Sequence, residues 1–256
     1  MQLQLQKRQG LIMNNKFKTI LIMAGLVLLA GPGLQAQPDR TGRQMDDPTK
    51  RDTVRSIAQY FTPATKSKMT PDEKGFIRRW LLLEPINKPN RTNTVFTDSY
   101  LRKAFDTIYF PNQFTILPKD GEKVKVGESE LAWHALDSRN YNVKLFRFAY
   151  GLNKQTYGVL FWAVTVVNSP EEMKNVRMAV GSNSGSMWWL NGKEAVLLSG
   201  DRRMVMDDCV STRLTLNKGK NIIRGAVING PGMSDFCVRL INEKGEHVKN
   251  LTIKCK

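Results

Sequence analysis

The chain has 256 residues, a formal net charge of +16, three cysteines and two histidines. Three cysteines exclude a multi-bridge disulfide scaffold, which needs several even pairs. His134 and His247, with no Cys-x-x-Cys, exclude an ordinary zinc site, which gathers three or four ligands at one point. No run of five or more Lys/Arg and no basic helix provides a phosphate track, so the charge points away from nucleic acid. It favours other polyanions, such as anionic lipid or acidic polysaccharide, or reflects a basic soluble surface.

A short basic start carries Lys7, Arg8, Lys16 and Lys18 and is followed by the apolar run Ile20–Ala30, then Gly31-Pro32-Gly33-Leu34-Gln35-Ala36. Basic, apolar and small-residue regions in that order read as a signal peptide over 1–36. The apolar run is about 11 residues, short of the roughly 20 that span a bilayer. Met13-Asn14-Asn15-Lys16 also has the form of a start, so either Met1 or Met13 can begin the chain. Cleavage after Ala36 would remove four cations and no acid, leaving +12 on 220 residues. The mature chain is then expected in the periplasm or outside the cell, with no transmembrane segment.

Residues 37–75 read as a polar lead-in with a short helix. Asp47-Pro48 sets an N-cap with proline at the first helical position, and Val54, Ile57, Ala58 and Phe61 follow at helical spacing before Pro63. Thr70-Pro71-Asp72-Glu73 has capping-box spacing for a single turn. Residues 76–256 read as one β-sandwich domain. Trp80–Leu83, stopped by Glu84-Pro85, has the length of a buried strand, and Leu101, Ala104, Phe105 and Ile108 predict a second short helix capped by Asp98 or Ser99.

Beyond about residue 115 the pattern is all-β. Strand-length apolar runs fall at Leu131–His134, Val143–Tyr150, Gly158–Asn168, Val176–Val180, Ser186–Leu190, Ala195–Leu198, Arg213–Leu216, Asn221–Ile228 and Asp235–Ile241. Gly- and Asn-rich turns divide them, as in a sandwich or jelly roll. Asn191-Gly192 predicts a two-residue type I′ hairpin, because both central positions need positive φ.

Candidates for chemistry are few. Gly181-Ser182-Asn183-Ser184-Gly185 has the outer glycines of a nucleophile elbow but carries Asn183 where the serine belongs, and reads as a polar loop between strands. Adjacent strand residues point to opposite faces, so Asp207-Asp208 cannot be the facing carboxylates of a glycosidase; one is expected to meet Arg202 or Arg203 and the other to be solvated. Two carboxylates alone do not make a calcium site, and no metal or cofactor is expected. One disulfide, Cys209 to Cys237, is open to the chain, with Cys255 left as a thiol. Trp80, Trp133 and Trp162 read as core. Of Trp188 and Trp189, one is expected to face the core and the other to face outward as a binding platform.

Val180–Lys193, with its hydrophobic strand, polar turn and Trp-Leu-Asn-Gly-Lys hairpin, resembles the galactose-binding-like β-sandwich modules attached to bacterial polysaccharide-degrading enzymes and esterases. So do Leu214–Arg224, the closing run Phe236–Leu240 and the opening run Phe76–Ile86. The resemblance covers about residues 76–243. Two departures are Glu84-Pro85-Ile86 for Gly-Pro-Phe, and Asn183-Ser184 where the family carries aspartates. Chains of this kind are often labelled acetylxylan esterase, but no esterase domain with a Ser-His-Asp set is present in the sequence.

The resemblance implies a mainly β, jelly-roll or galactose-binding-like sandwich with short N-terminal helices. It further implies a secreted, non-catalytic carbohydrate-binding or accessory module in polysaccharide degradation, with a polysaccharide or oligosaccharide, acidic ones included, as partner. The expected contact residues are Trp188, Trp189, Arg202, Arg203 and Asp208. The alternatives are a carbohydrate esterase using His134 or His247, and a structural subunit docking a partner hydrolase.

Overall fold

The computed structural model describes residues 55–255. The expected signal peptide and the first part of the lead-in, residues 37–54, lie outside them. The described strands are β1 (Phe61–Pro63), β2 (Arg79–Leu83), β3 (Ile86–Asn87), β4 (Lys123–Val126), β5 (Ser129–Ser138), β6 (Val143–Lys144), β7 (Val159–Ser169) and β8 (Met173–Ser182). They continue with β9 (Gly185–Leu190), β10 (Lys193–Leu198), β11 (Cys209–Val210), β12 (Leu214–Leu216), β13 (Gly219–Asn229), β14 (Asp235–Ile241) and β15 (Thr252–Lys254). Helix α1 (Asp98–Asp106) precedes β4, and helix α2 (Leu145–Gly151) follows β6.

The chain is a mainly β, antiparallel sandwich. Its larger sheet has ten strands running β1-β5-β2-β7-β13-β9-β10, with β3 and β15 also paired to β7 and β4 to β5. The smaller has five, β11-β8-β14-β6 with β12 on β8. The turn after Ser182 carries the chain from the small sheet into the large one.

Between the sheets, Trp80, Phe161 and Trp188 of the large sheet meet Met178, Val180, Phe236 and Val238 of the small one. The rings pack edge to face, Trp80 on Trp188 at 5.9 Å and on Phe236 at 5.0 Å, the arrangement favoured by the aromatic quadrupole. The other face of the large sheet is also covered. There Trp133, Trp162 and Trp189 lie beneath Leu101 and Phe105 of α1 and beneath Phe110. Burial on both faces is why β2, β7 and β9 read as unbroken apolar runs.

Helix α1 forms where expected, but neither Asp98 nor Ser99 caps it. Its N-cap is Thr97, whose hydroxyl accepts from the Tyr100 N–H at 3.3 Å, with Asp98 favourably placed against the helix dipole. The helix stops at Asp106, so Ile108 is exposed rather than part of its buried face. The Asn191-Gly192 hairpin also forms, with φ of 51° and 82° joining β9 to β10.

Three expectations are corrected. Val143–Tyr150 is a strand only over β6 and then becomes α2, because Leu145, Phe148 and Ala149 bury together at helical spacing while Phe146 and Tyr150 stack outside at 6.2 Å. The helix expected up to Phe61 is, in its described part, one turn at Ile57–Tyr60 leading into β1, which pairs with β5. Thr70–Glu73 forms a non-helical turn, in which Asp72 Oδ1 accepts from the N–H groups of Lys74 (3.0 Å) and Phe76 (2.8 Å) and Gly75 takes φ of 85°.

Candidate functional site

Trp188 and Trp189 do point to opposite faces of β9, but neither ring reaches the surface. Trp188 is fully buried in the sandwich interior, its indole N–H donating to Ser186 Oγ at 3.0 Å. Trp189 is 7% exposed, stacked on Trp162 at 5.7 Å with Phe114 edge-on. The expected platform is absent from this strand because the segment around α1 roofs the face that would have carried it.

The three polar residues expected at the site share one loop, 199–208. Arg202 bonds the Ser199 carbonyl at 2.8 Å and pairs with Asp208, and Arg203 is exposed. Asp207, expected to be either solvated or paired within the loop, instead grips Arg239 of β14, with Nε to Oδ1 at 2.9 Å. Each aspartate is thus held by a guanidinium. Among the described residues no group of three or more His, Cys, Asp or Glu could hold a metal ion.

Gly181 and Gly185 have structural duties. A β-carbon on Gly181 would stand 2.0 Å from the Val205 carbonyl oxygen, so the glycine lets the loop lie against β8. Gly185 similarly admits Leu101 of α1. Ser182 Oγ donates within the turn to the Ser184 carbonyl at 2.8 Å and accepts from the Ser184 N–H at 3.2 Å. Beneath the loop, Met204, Phe76 and Cys237 form a small separate core with Tyr141 beside it. Cys209 and Cys237 are both free thiols; β11 and β14 flank β8 on opposite edges, which keeps them apart.

Beside this loop lies a hollow of about 590 Å³ lined by Pro71, Asp72, Glu73, Lys74, Arg78, Tyr141 and Met206. Its parts are fixed from behind. The Asp72 turn is tied by its two backbone hydrogen bonds, and Arg239 Nη1 holds the Lys74 carbonyl at 2.9 Å. The Tyr141 ring rests on Phe76 at 5.2 Å, and the Arg239 guanidinium lies over the Phe76 ring at 5.1 Å. Burial pushes the Tyr141 phenol above its ordinary range, so it stays protonated at neutral pH. Among the described residues, Arg78 Nε is buried without a hydrogen-bond partner.

Sequence reasoning missed this hollow. Its one local signal is Tyr141, an aromatic residue alone in the polar turn Ser138-Arg139-Asn140-Tyr141-Asn142.

His134 and His247 sit elsewhere. His134 Nε2 faces Glu84 Oε1 at 3.4 Å, and Lys154 Nζ lies 3.0 Å from the other oxygen. Burial raises the Glu84 pKa, but hydrogen bonds from Lys154, the Ala132 N–H and His134 outweigh it, and the carboxyl sits below its ordinary value. His247 packs over Gly75.

No family model matches the sequence, and no curated protein sequence does. Among solved structures, the chain is similar to a PA14 sugar-binding domain from an RTX adhesin, at 12% identity and a TM-score of 0.38 over 67% of this chain and 94% of that one. It is also similar to the PA14 domain of the antifreeze protein MpAFP, at 13% identity and a TM-score of 0.39 over 71% of this chain and 89% of that one. A β-glucosidase from Kluyveromyces marxianus matches at 18% identity and a TM-score of 0.32 over 48% of this chain, which spans 16% of the enzyme.

Proposed function

We propose that the chain is an exported, non-catalytic carbohydrate-binding or accessory module serving polysaccharide degradation, and that the hollow at Tyr141 is its sugar-contacting surface. The observation that carries this reading is the Tyr141 ring at the edge of a concavity that also holds Arg78, Asp72, Glu73 and Lys74. A pyranose presents an apolar C–H face and a rim of hydroxyls that both donate and accept. A ring fixed by packing supplies the apolar contact at low entropic cost. The neighbouring guanidinium, ammonium and carboxylates supply donors and acceptors for the rim.

Export is proposed on the order of basic, apolar and small residues over 1–36. The resemblance to galactose-binding-like modules supplies the accessory role. Affinity electrophoresis through gels carrying individual plant polysaccharides tests the binding. Retardation on at least one is expected; folded protein that migrates unretarded in every gel would remove the sugar reading.

A further inference from the structure

We infer that a second hollow, on the outer face of the ten-stranded sheet, takes the carboxylate of a uronate-bearing polysaccharide. This hollow of about 480 Å³ is lined by Lys66, Arg79, Asp120, Ala135, Lys254 and Cys255 among others, and shares no lining residue with the one at Tyr141. That the ligand is a polysaccharide rests on the function proposed above; that it is anionic rests on the charges here.

Among the described residues, two cations stand without an acidic partner, one acid is fully engaged and a second is half engaged. Arg79 is 3% exposed and forks onto Asp137 through Nε and Nη2 at 2.7 and 2.8 Å, which closes both the guanidinium and that carboxylate to an incoming group. Asp120 Oδ1 accepts the Ala135 N–H at 2.8 Å, leaving its second oxygen as the one acidic counterweight. Lys66 is exposed and Lys254 half-buried, and among the described residues neither ammonium has an acidic partner. Two unpaired ammonium groups beside a single half-engaged carboxylate favour an anion.

The remaining chemistry suits a sugar acid. Burial pushes the Cys255 thiol up to about 12, so at neutral pH it is an uncharged, weakly polar wall and does not compete for the cations. Ala135 adds an apolar floor. Lys254 pairs with Val166 in the sheet, and two residues along the same face of β7 comes Asn168, opposite Lys220. The face therefore continues past the hollow with a further, exposed cation, as an anionic ligand of several sugar units requires.

The test measures binding of a galacturonate trimer by calorimetry to the full chain, a Lys66→Met/Lys254→Met variant, and a Lys174→Met/Lys244→Met variant that loses the same charge elsewhere. We expect the trimer to bind the parent chain and the second variant alike, to bind the first about tenfold more weakly, and to lose affinity as salt rises. Its methyl-esterified form should not bind this hollow. Equal weakening in both variants would assign the binding to the overall positive field and overturn the inference, as would an unaffected first variant or a trimer that does not bind. Inorganic phosphate competing as well as the trimer would reduce the site to a free-anion site and overturn the glycan assignment. Retardation by neutral polysaccharide that depends on Tyr141 is read separately, so failure of the carboxylate hollow and failure of the proposed function are distinguishable.

Discussion

Trp188 lies across Gly225, its partner on β13, so closely that a β-carbon at 225 would fall 2.3 Å from ring atom Cζ3. The glycine is the floor on which the central tryptophan of the sandwich rests. Gly225→Ala should therefore destabilise the domain by about 1–3 kcal/mol, the usual range for overpacking, read as a lower urea midpoint with an unchanged slope. An unchanged midpoint would mean that the ring can move aside.

The same ring and its neighbour Trp189 are core residues on opposite faces of one strand. Trp188→Ala and Trp189→Ala should each cost about 3–5 kcal/mol. In the native chain, indole emission should be blue-shifted and poorly quenched by acrylamide, since Trp80, Trp133, Trp162 and Trp188 are all fully buried and Trp189 nearly so. Strong quenching would show that the roof over Trp189 opens.

The Asp207–Arg239 pair anchors the 199–208 loop to β14. Asp207 has φ of 54°, a conformation asparagine also tolerates, so Asp207→Asn removes the charge without straining the backbone. The half-exposed pair is worth about 1 kcal/mol. The expected result is faster proteolysis within the loop with little change in global unfolding; equal cleavage rates would show that Gly181 and Met204 hold the loop unaided.

Burial pushes both the Cys237 and Cys255 thiols up to about 12, whereas an unfolded thiol ionises near about 8.5. A folded pKa above the unfolded one means that the stabilising contribution is complete below about pH 8.5 and is lost as pH climbs from there toward 12. Cys255→Ala should therefore show a shallower fall in urea midpoint between about pH 8 and pH 10.5 than the parent chain. Identical pH profiles would refute the shift. At pH 7.5, Cys237, fully buried beneath the loop, should react with a thiol reagent only on unfolding.

Much of the sandwich was legible because its strands are long and buried on both faces, as at Val159–Ser169, or are set by obligatory turn chemistry, as at Asn191-Gly192. Short elements were not. Val143-Lys144 and Leu145–Gly151 differ in structure within one apolar run, and only the partners of Phe148 and Ala149 in the core decide that the chain turns helical. The site was least legible for the same reason. Alternation along β9 correctly separates Trp188 from Trp189, but whether the outer face meets water depends on where α1 docks, which is a tertiary fact. Tyr141, Asp72 and Arg78 come together only through the pairing of Phe76 with Arg239 and the packing of Phe76 on Tyr141.

The most direct measurement of the central claim is retardation of three proteins in the same polysaccharide gels: the parent chain, Tyr141→Ala, and Tyr157→Ala as a control at an exposed ring outside the hollow. The account predicts that Tyr141→Ala runs freely, while the parent and Tyr157→Ala are retarded alike and all three unfold at similar urea concentrations. A folded Tyr141→Ala chain retarded as strongly as the parent would contradict it.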